Sequence, residues 1–287
     1  ASVIVFEPES SSKAKALNHA ITYYSERAFD EVVILDADNV VKSDFLCTLN
    51  EAFNSGCRVV QAHRTAKNTD TEVALLDAIS EEINNSIFRK GHTAVGLPSA
   101  LIGSGMAFEF NWFKNAVSKL ETAGEDKELE ILILKERVFI NYLDDLLVYD
   151  EKTKRDSTYY NQRRRWIAAQ FHSLSTGAKW LPNAILSANI GYIDKIFQWS
   201  LLPRVATLGF LIISFGLALI INPYSSLKWG VLAIIFSISL ISSIPHSLRE
   251  KISARSLLKL PIIFTLTILN FFRTKGAVRR FIHTSKN

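Results

Sequence analysis

Two apolar stretches constrain this chain more than any other feature. They are "LLPRVATLGFLIISFGLALII" (201 to 221), with 17 uncharged residues after Arg204, and "WGVLAIIFSISLISSI" (229 to 244), joined by "NPYSSLK". Crossing a hydrocarbon core of about 30 Å takes about 20 apolar residues in a helix, the form that satisfies its own backbone groups in lipid. The pair therefore reads as a membrane hairpin. Core helices of a soluble protein are the alternative, and the charge distribution argues against them. Residues 1 to 150 carry 14 Lys+Arg against 24 Asp+Glu, whereas residues 151 to 287 carry 19 against 4. Basic residues flank the hairpin on both sides: Lys152, Lys154, Arg155 and Arg163 to Arg165 before it, Arg249, Lys251, Arg255 and Lys259 after it. The positive-inside rule puts both ends at the cytoplasmic face and only the short link outside. A third stretch, "LPIIFTLTILNFF" (260 to 272), followed by "RTKGAVRR", suits an interfacial or re-entrant helix as well as a span.

The acidic half has a different signature. "VVILDADNVV" (32 to 41) is a β-branched run without polar alternation that ends in two carboxylates one residue apart. Such a run suits a strand covered on both faces of an α/β sheet, and the C-terminal ends of such strands are where ligands sit. A turn with a helix N-cap explains an Asp pair equally well, so Asp36 and Asp38 take their meaning from the rest of the chain. Cys47 and Cys57 follow no metal-site or disulfide pattern and are read as reduced thiols of a cytosolic domain.

Along the chain, "VIVF" (3 to 6) reads as a short strand. A Ser-capped helix follows, with Ala16, Leu17, Ala20, Ile21 and Tyr24 on one face. The strand at 32 to 35, a helix over "DFLCTLNEAFNS" closed by Gly56, and a strand over "RVVQAH" complete a β-α-β-α-β alternation. Residues 71 to 90 form a long helical pattern, and "GSGMAFEF" is a turn entering a strand. "EDKELEILILKERV" is a helix, "FINYLDDLLVYD" a strand pair or a strand and turn, and "STYYNQRRRWIAAQFHSLS" an aromatic, basic helix. The expected division is a catalytic domain over 1–180 and interfacial and transmembrane helices with a basic tail over 181–287.

Four separated motifs carry a resemblance: "KAKALN" (13 to 18), "DAD" (36 to 38), "GSG" (103 to 105) with "GEDKEL" (124 to 129), and "QRRRW" (162 to 166). Their order ahead of a membrane hairpin resembles the membrane-bound, processive branch of family 2 glycosyltransferases, the group of cellulose, chitin and hyaluronan synthases. The terminal "FIHTSK" is similar to that group's closing segment. The resemblance implies an α/β, GT-A-like nucleotide-sugar domain followed by membrane helices. It also implies an inverting, metal-dependent hexosyltransferase acting at the cytoplasmic membrane face. The expected donor is a nucleotide diphosphate sugar, with a UDP-sugar first among the candidates. The acceptor is a glycan or lipid, processive polysaccharide synthesis is one outcome, and no nucleic-acid partner is expected.

The same resemblance assigns roles. A hard cation, Mg2+ or Mn2+, prefers carboxylate oxygen with phosphate and water. Asp38 is the direct ligand, with Asp36 on the nucleotide sugar or on the metal through water. Side chains one apart on an extended strand point oppositely, so sharing an ion needs the turn that Asn39 favours. Asp126 is the general base beside Glu125, although acids at a helix start also serve the dipole. Arg165 and Lys13 face the diphosphate, Gln162 hydrogen-bonds donor or acceptor, and Trp166 offers a flat face to a sugar ring. Arg163 and Arg164 also suit an amphipathic helix lying on anionic lipid.

The chain departs from the family at two places. It begins "ASVIVFEPES", without methionine and after the family's first nucleotide-binding strands, so an N-terminally truncated member is expected. The family's arginine after the GSG turn is not evident, and Glu109 stands nearby. Two other readings compete. A haloacid dehalogenase-like phosphatase would use Asp36 as nucleophile and Asp38 as general acid, but no Gly-Asp-x-x-x-Asp loop supports it. A non-catalytic membrane scaffold is the other.

Overall fold

The computed structural model describes residues 2–5, 12–120, 124–154 and 156–272, so the "FIHTSK" segment and the basic run before it lie outside the described residues. Helix α1 (Lys13–Tyr23) starts at Ser12, whose hydroxyl accepts from the Lys15 amide at 3.2 Å. It buries Ala14 and Ile21, with Leu17 against the core, whereas the expected face member Ala16 is exposed. The alternating elements follow as β1 (Glu31–Ile34), β2 (Val40–Val41), α2 (Phe45–Asn54), β3 (Val59–Ala66) and α3 (Glu72–Asn84). A π-helical segment, Asn85–Gly91, extends α3 into α4 (His92–Ala94). Then come β4 (Met106–Glu109), α5 (Phe110–Val117), α6 (Glu125–Lys135) and β5 (Ile140–Asp150).

The five strands form one mixed sheet in the order β1-β4-β3-β5-β2, with β3 and β5 parallel and the other pairs antiparallel. Alternate residues feed opposite faces. Val59, Phe108 and Ile140 pack with Phe113, Leu129 and Ile133 on one side, and Val60, Ala107 and Val148 with Phe45 and Leu49 on the other. Two expectations are corrected. Residues 2–5 form no strand, and Val3 and Val5 are exposed; β-branched composition without a neighbouring strand leaves the ladder unpaired. "FINYLDDLLVYD" is one strand, whose acidic residues fall at a register shift opposite Ala62 and His63.

Beyond the sheet, α7 (Asp156–Gly177) leads through a short 3-10 turn (Ala178–Trp180) into α8 (Leu181–Leu186) and α9 (Ile190–Ser200). Ala184, Tyr192, Ile196 and Trp199 share a core with Ile131 and Leu134 of α6. Helices α10 (Arg204–Ile221) and α11 (Pro223–Ser242) are long and apolar enough to cross a membrane, with mean hydropathy 2.2 and 1.6. Only 11% and 6% of their apolar windows are buried, unlike the core helices of a soluble protein. The expected link "NPYSSLK" is mostly helix. Asn222 alone separates α10 from α11, and its side chain caps the second by accepting from the Ser225 amide. Short helices α12 (His246–Arg249) and α13 (Ala254–Leu258) follow, and α14 (Leu260–Phe272) packs against α7 and α10.

Candidate active site

The site follows from register. Ile34 pairs with Met106, so the C-terminal end of β1 and the entry to β4 lie at the same edge of the sheet. The DAD turn and the GSG loop are thereby adjacent, and the Gly105 amide donates to the Ile34 carbonyl at 2.9 Å. β2 pairs with β5 at the far side of the sheet, so the turn between β1 and β2 passes over this edge. Gly105 has φ +66°, and a Cβ there would meet Val148 Cγ2 at 3.0 Å. Gly103, φ +77°, runs beside the start of α6, where an added Cβ would lie 3.6 Å from Glu125 Oε1 and 3.9 Å from Asp126 Oδ2.

Lys13 ties these pieces together. Its Nζ donates to Asp36 Oδ1 and to the Gly103 carbonyl, each at 2.5 Å, and lies 3.7 Å from Glu125 Oε1. Three of the four sequence motifs thus converge on one ammonium group. Burial and the neighbouring Asp126 push the Glu125 carboxyl up to about 7, against the opposing pull of Lys13. Asp126 is half-buried, with Oδ1 accepting from the Lys127 amide at 2.9 Å.

The DAD turn is closed by the Asn39 amide on the Asp36 carbonyl at 3.0 Å. Asn39 Oδ1 accepts from the Asp36 amide at 3.0 Å and from the Ser104 hydroxyl, while Nδ2 reaches Asp150 Oδ1 at 3.3 Å. Asp36 and Asp38 therefore sit on one fixed turn, as hard oxygen donors. Among the described residues no group of three or more His, Cys, Asp or Glu is placed to hold a metal. The donor set fits a Mg2+ or Mn2+ ion that takes one or two carboxylates here and its remaining ligands from substrate phosphate and water.

Behind the turn lies a buried charge network that the sequence did not announce. Lys152 Nζ donates to Asp150 Oδ2 at 2.9 Å and to Glu81, and Arg64 Nε donates to Glu81 Oε1 at 2.6 Å. Although burial alone would raise it, Arg64 and Lys152 hold the Glu81 carboxyl at about 2. Lys152, counted among the flanking basic residues, is thus committed inside the domain. The GSG approach is held by side chains too: Arg89 Nε on the Ala100 carbonyl at 3.1 Å, Glu130 Oε1 on the Leu101 amide at 2.7 Å, and Gln61 Oε1 on the Ile102 amide at 3.0 Å. Gln61 is fully buried between Val60 and Ala62 of β3, and the buried Glu130 interrupts "LEILIL". A polar residue at a core position was the available signal for both.

The QRRRW motif lies on α7, which packs against α6. Gln162 and Arg165 are half-buried and Trp166 is exposed. Among the described residues, Gln162 and Trp166 make no hydrogen bond to the Lys13 cluster. The Arg163 guanidinium stands over the Trp166 ring at 5.2 Å. Glu109 pairs with Arg58 at 2.9 Å at the opposite end of β4, away from the site.

Comparison with protein-family models matches residues 2–169 to the model described as "Glycosyltransferase like family 2". The chain belongs to this glycosyltransferase family. The match spans the sheet, the Lys13 cluster and the start of α7, and family 2 membership implies a nucleotide-sugar donor and an acceptor. The phosphatase reading of Asp36 and Asp38 has no comparable support. Comparison with curated proteins finds no match.

Proposed function

We propose that this family 2 glycosyltransferase is a GT-A-like, inverting hexosyltransferase of the membrane-bound synthase type. It moves a sugar from a nucleotide diphosphate sugar, a UDP-sugar first among the candidates, to a glycan or lipid acceptor at the cytoplasmic face. The observation that carries this reading is the convergence of Asp36, Gly103, Glu125 and Asp126 around Lys13. A single general base, Asp126, and no carboxylate assigned as nucleophile suit a single displacement. The acceptor oxygen attacks the anomeric carbon, the bond from that carbon to the diphosphate oxygen breaks, and the acceptor proton passes to Asp126. Glu125, titrating near neutrality, hydrogen-bonds the acceptor hydroxyl and orients it toward Asp126. Lys13 and Arg165 supply positive charge to the diphosphate. Mg2+ or Mn2+ held by Asp38, with Asp36, would neutralise the leaving group's charge. Trp166 stacks on the acceptor sugar and Gln162 hydrogen-bonds it. The two exposed apolar helices support a membrane hairpin, with its basic flanks on the cytoplasmic side.

The test is the anomeric configuration of the product, read by NMR after incubation with a panel of nucleotide sugars. Inversion is expected; retention would refute the single displacement.

A further inference from the structure

Asp77 and Ser80 lie three residues apart on α3 and so neighbour each other on one helix face. Each receives an arginine from a different element. Arg163 Nη2 of α7 lies 3.3 Å from Asp77 Oδ1, and Arg204 Nη2, at the start of α10, donates to the Ser80 carbonyl at 2.9 Å and to its hydroxyl at 3.1 Å. Arg163 thus has Asp77 and the Tyr159 hydroxyl, while Arg204, within electrostatic range of Arg163, has only the two oxygens of Ser80. Arg163 Nε and Arg204 Nη1 are shielded from solvent and have no hydrogen-bond partner among the described residues. Donors in that state cost free energy until an acceptor arrives, and arginine cannot shed its proton to escape the cost.

The neighbouring carboxylates are already committed, Glu81 to Arg64 and Lys152, and Asp150 to Lys152. Arg89 lies within electrostatic range of Arg204 and adds to the positive excess. Arg163 lies over two rings, Tyr159 at 5.0 Å and Trp166 at 5.2 Å, contacts that hold its guanidinium in place. What this pair lacks is an oxyanion with several acceptor oxygens, for which phosphate is the natural match.

We propose that α3, α7 and the start of α10 bind the phosphate of an anionic lipid headgroup. The proposal rests on reading α10 and α11 as membrane spans. Arg204 opens the first of those spans, just after the exposed apolar residues Leu201 and Leu202, so a headgroup held there leaves its acyl chains beside an apolar surface. The donor diphosphate is placed at Lys13, Asp36 and Arg165; Arg165 is two positions from Arg163, and helix residues two apart do not share a face. A lipid held here seats α7, and with it the QRRRW motif, at a fixed depth against the membrane.

The test uses the full chain purified in detergent, with bound lipid measured by native mass spectrometry. Phosphatidylglycerol is expected to be retained and phosphatidylcholine not. Arg163→Gln and Arg204→Gln should each weaken retention about fivefold, the worth of one basic residue near an anionic surface. Asp77→Asn removes the competing charge while keeping its shape, and should strengthen retention. That opposite sign separates a binding site from a change that merely loosens the fold. Equal retention of the two lipids, or no gain in Asp77→Asn, overturns the proposal. So does equal binding of inorganic phosphate, which would make the site one for free anion, or displacement of the lipid by UDP, which would give the arginines to the donor. Resistance to carbonate extraction from phosphatidylcholine vesicles tests the membrane reading separately. A chain that resists extraction yet shows no headgroup preference sinks this proposal alone.

Discussion

Replacing Lys13 with methionine should make the protein's stability more sensitive to pH, and the structure gives the size of the effect. Glu125 has a carboxyl raised from an ordinary 4.5 to about 7, chiefly by burial and then by Asp126. An acid with a raised folded-state value contributes stability that is fully present below its unfolded value and is lost as pH rises through the folded one. Lys13, 3.7 Å from Glu125 Oε1, opposes that loss. At such a distance the attraction is about 1 kcal/mol in water and about 4 kcal/mol at an effective dielectric of 20. With Glu125 buried and Lys13 partly exposed, about 2 kcal/mol is the working figure, or ~1.5 pKa units. The methionine variant should therefore hold Glu125 protonated to about pH 8.5. Loss of the half-exposed contact to Asp36 adds about 1 kcal/mol or less. Thermal unfolding in detergent at about pH 6 and pH 9 is the assay. The deficit of the variant should grow by about 4–8 °C between the two, taking 2–4 °C per kcal/mol for a domain of this size. An equal deficit at both pH values would refute the ion pair as the element that tunes Glu125.

Three further outcomes are expected. Asp126→Asn should leave donor binding nearly intact and cut sugar transfer about a hundredfold or more, as loss of a general base does; normal transfer rates would remove Asp126 from that role. Asp38→Ala should abolish the dependence of donor binding on Mg2+ or Mn2+, measured by calorimetry with and without the ion. Lys195→Met should destabilise the chain by about 3–5 kcal/mol in thermal unfolding, because it strands a buried carboxylate. Lys195 Nζ meets Glu130 Oε1 at 3.0 Å with both side chains buried, and adding Glu130→Gln should recover most of the loss.

The elements that meet around Lys13 carry local signals in the sequence. The β-branched run ending at Ile34, the cap at Ser12 that sets Lys13 in a first helical turn, the glycines at 103 and 105, and the acids opening α6 each announce themselves within a few residues. Two long apolar helices were equally legible, from 17 uncharged residues after Arg204 and the second apolar run behind them, and both form with little of their surface buried. One failure came where the outcome depends on a distant partner. Val3 and Val5 have strand composition, yet among the described residues no strand pairs with them; residues 222 to 228 are a local miss, since Asn222 as N-cap and Pro223 in the first turn already signal a helix start.

The residues that hold the site still were the hardest to see, and the reason is physical. Asn39 looks like a turn residue from its neighbours alone. Its two hydrogen-bonding groups in fact join the DAD turn to Ser104, 65 positions away, and to Asp150, 111 positions away. Asp150 is fixed by Lys152, Lys152 by Glu81, and Glu81 by Arg64, so the placement of Asp36 depends on a chain of buried charges from three elements. No periodicity encodes such a chain, since each member is chosen by the charge it faces across the fold. Buried ionisable and amide groups recur behind the site, at Gln61, Arg64, Glu81, Glu130 and Lys152, but only Gln61 and Glu130 have apolar neighbours on both sides in the chain. Burying these groups is worth its desolvation cost only if every one finds a partner. Gln61 and Glu130, polar residues between apolar ones, were the traces the sequence offered, whereas Arg64, Glu81 and Lys152 sit in polar stretches and take their roles from partners only the fold supplies.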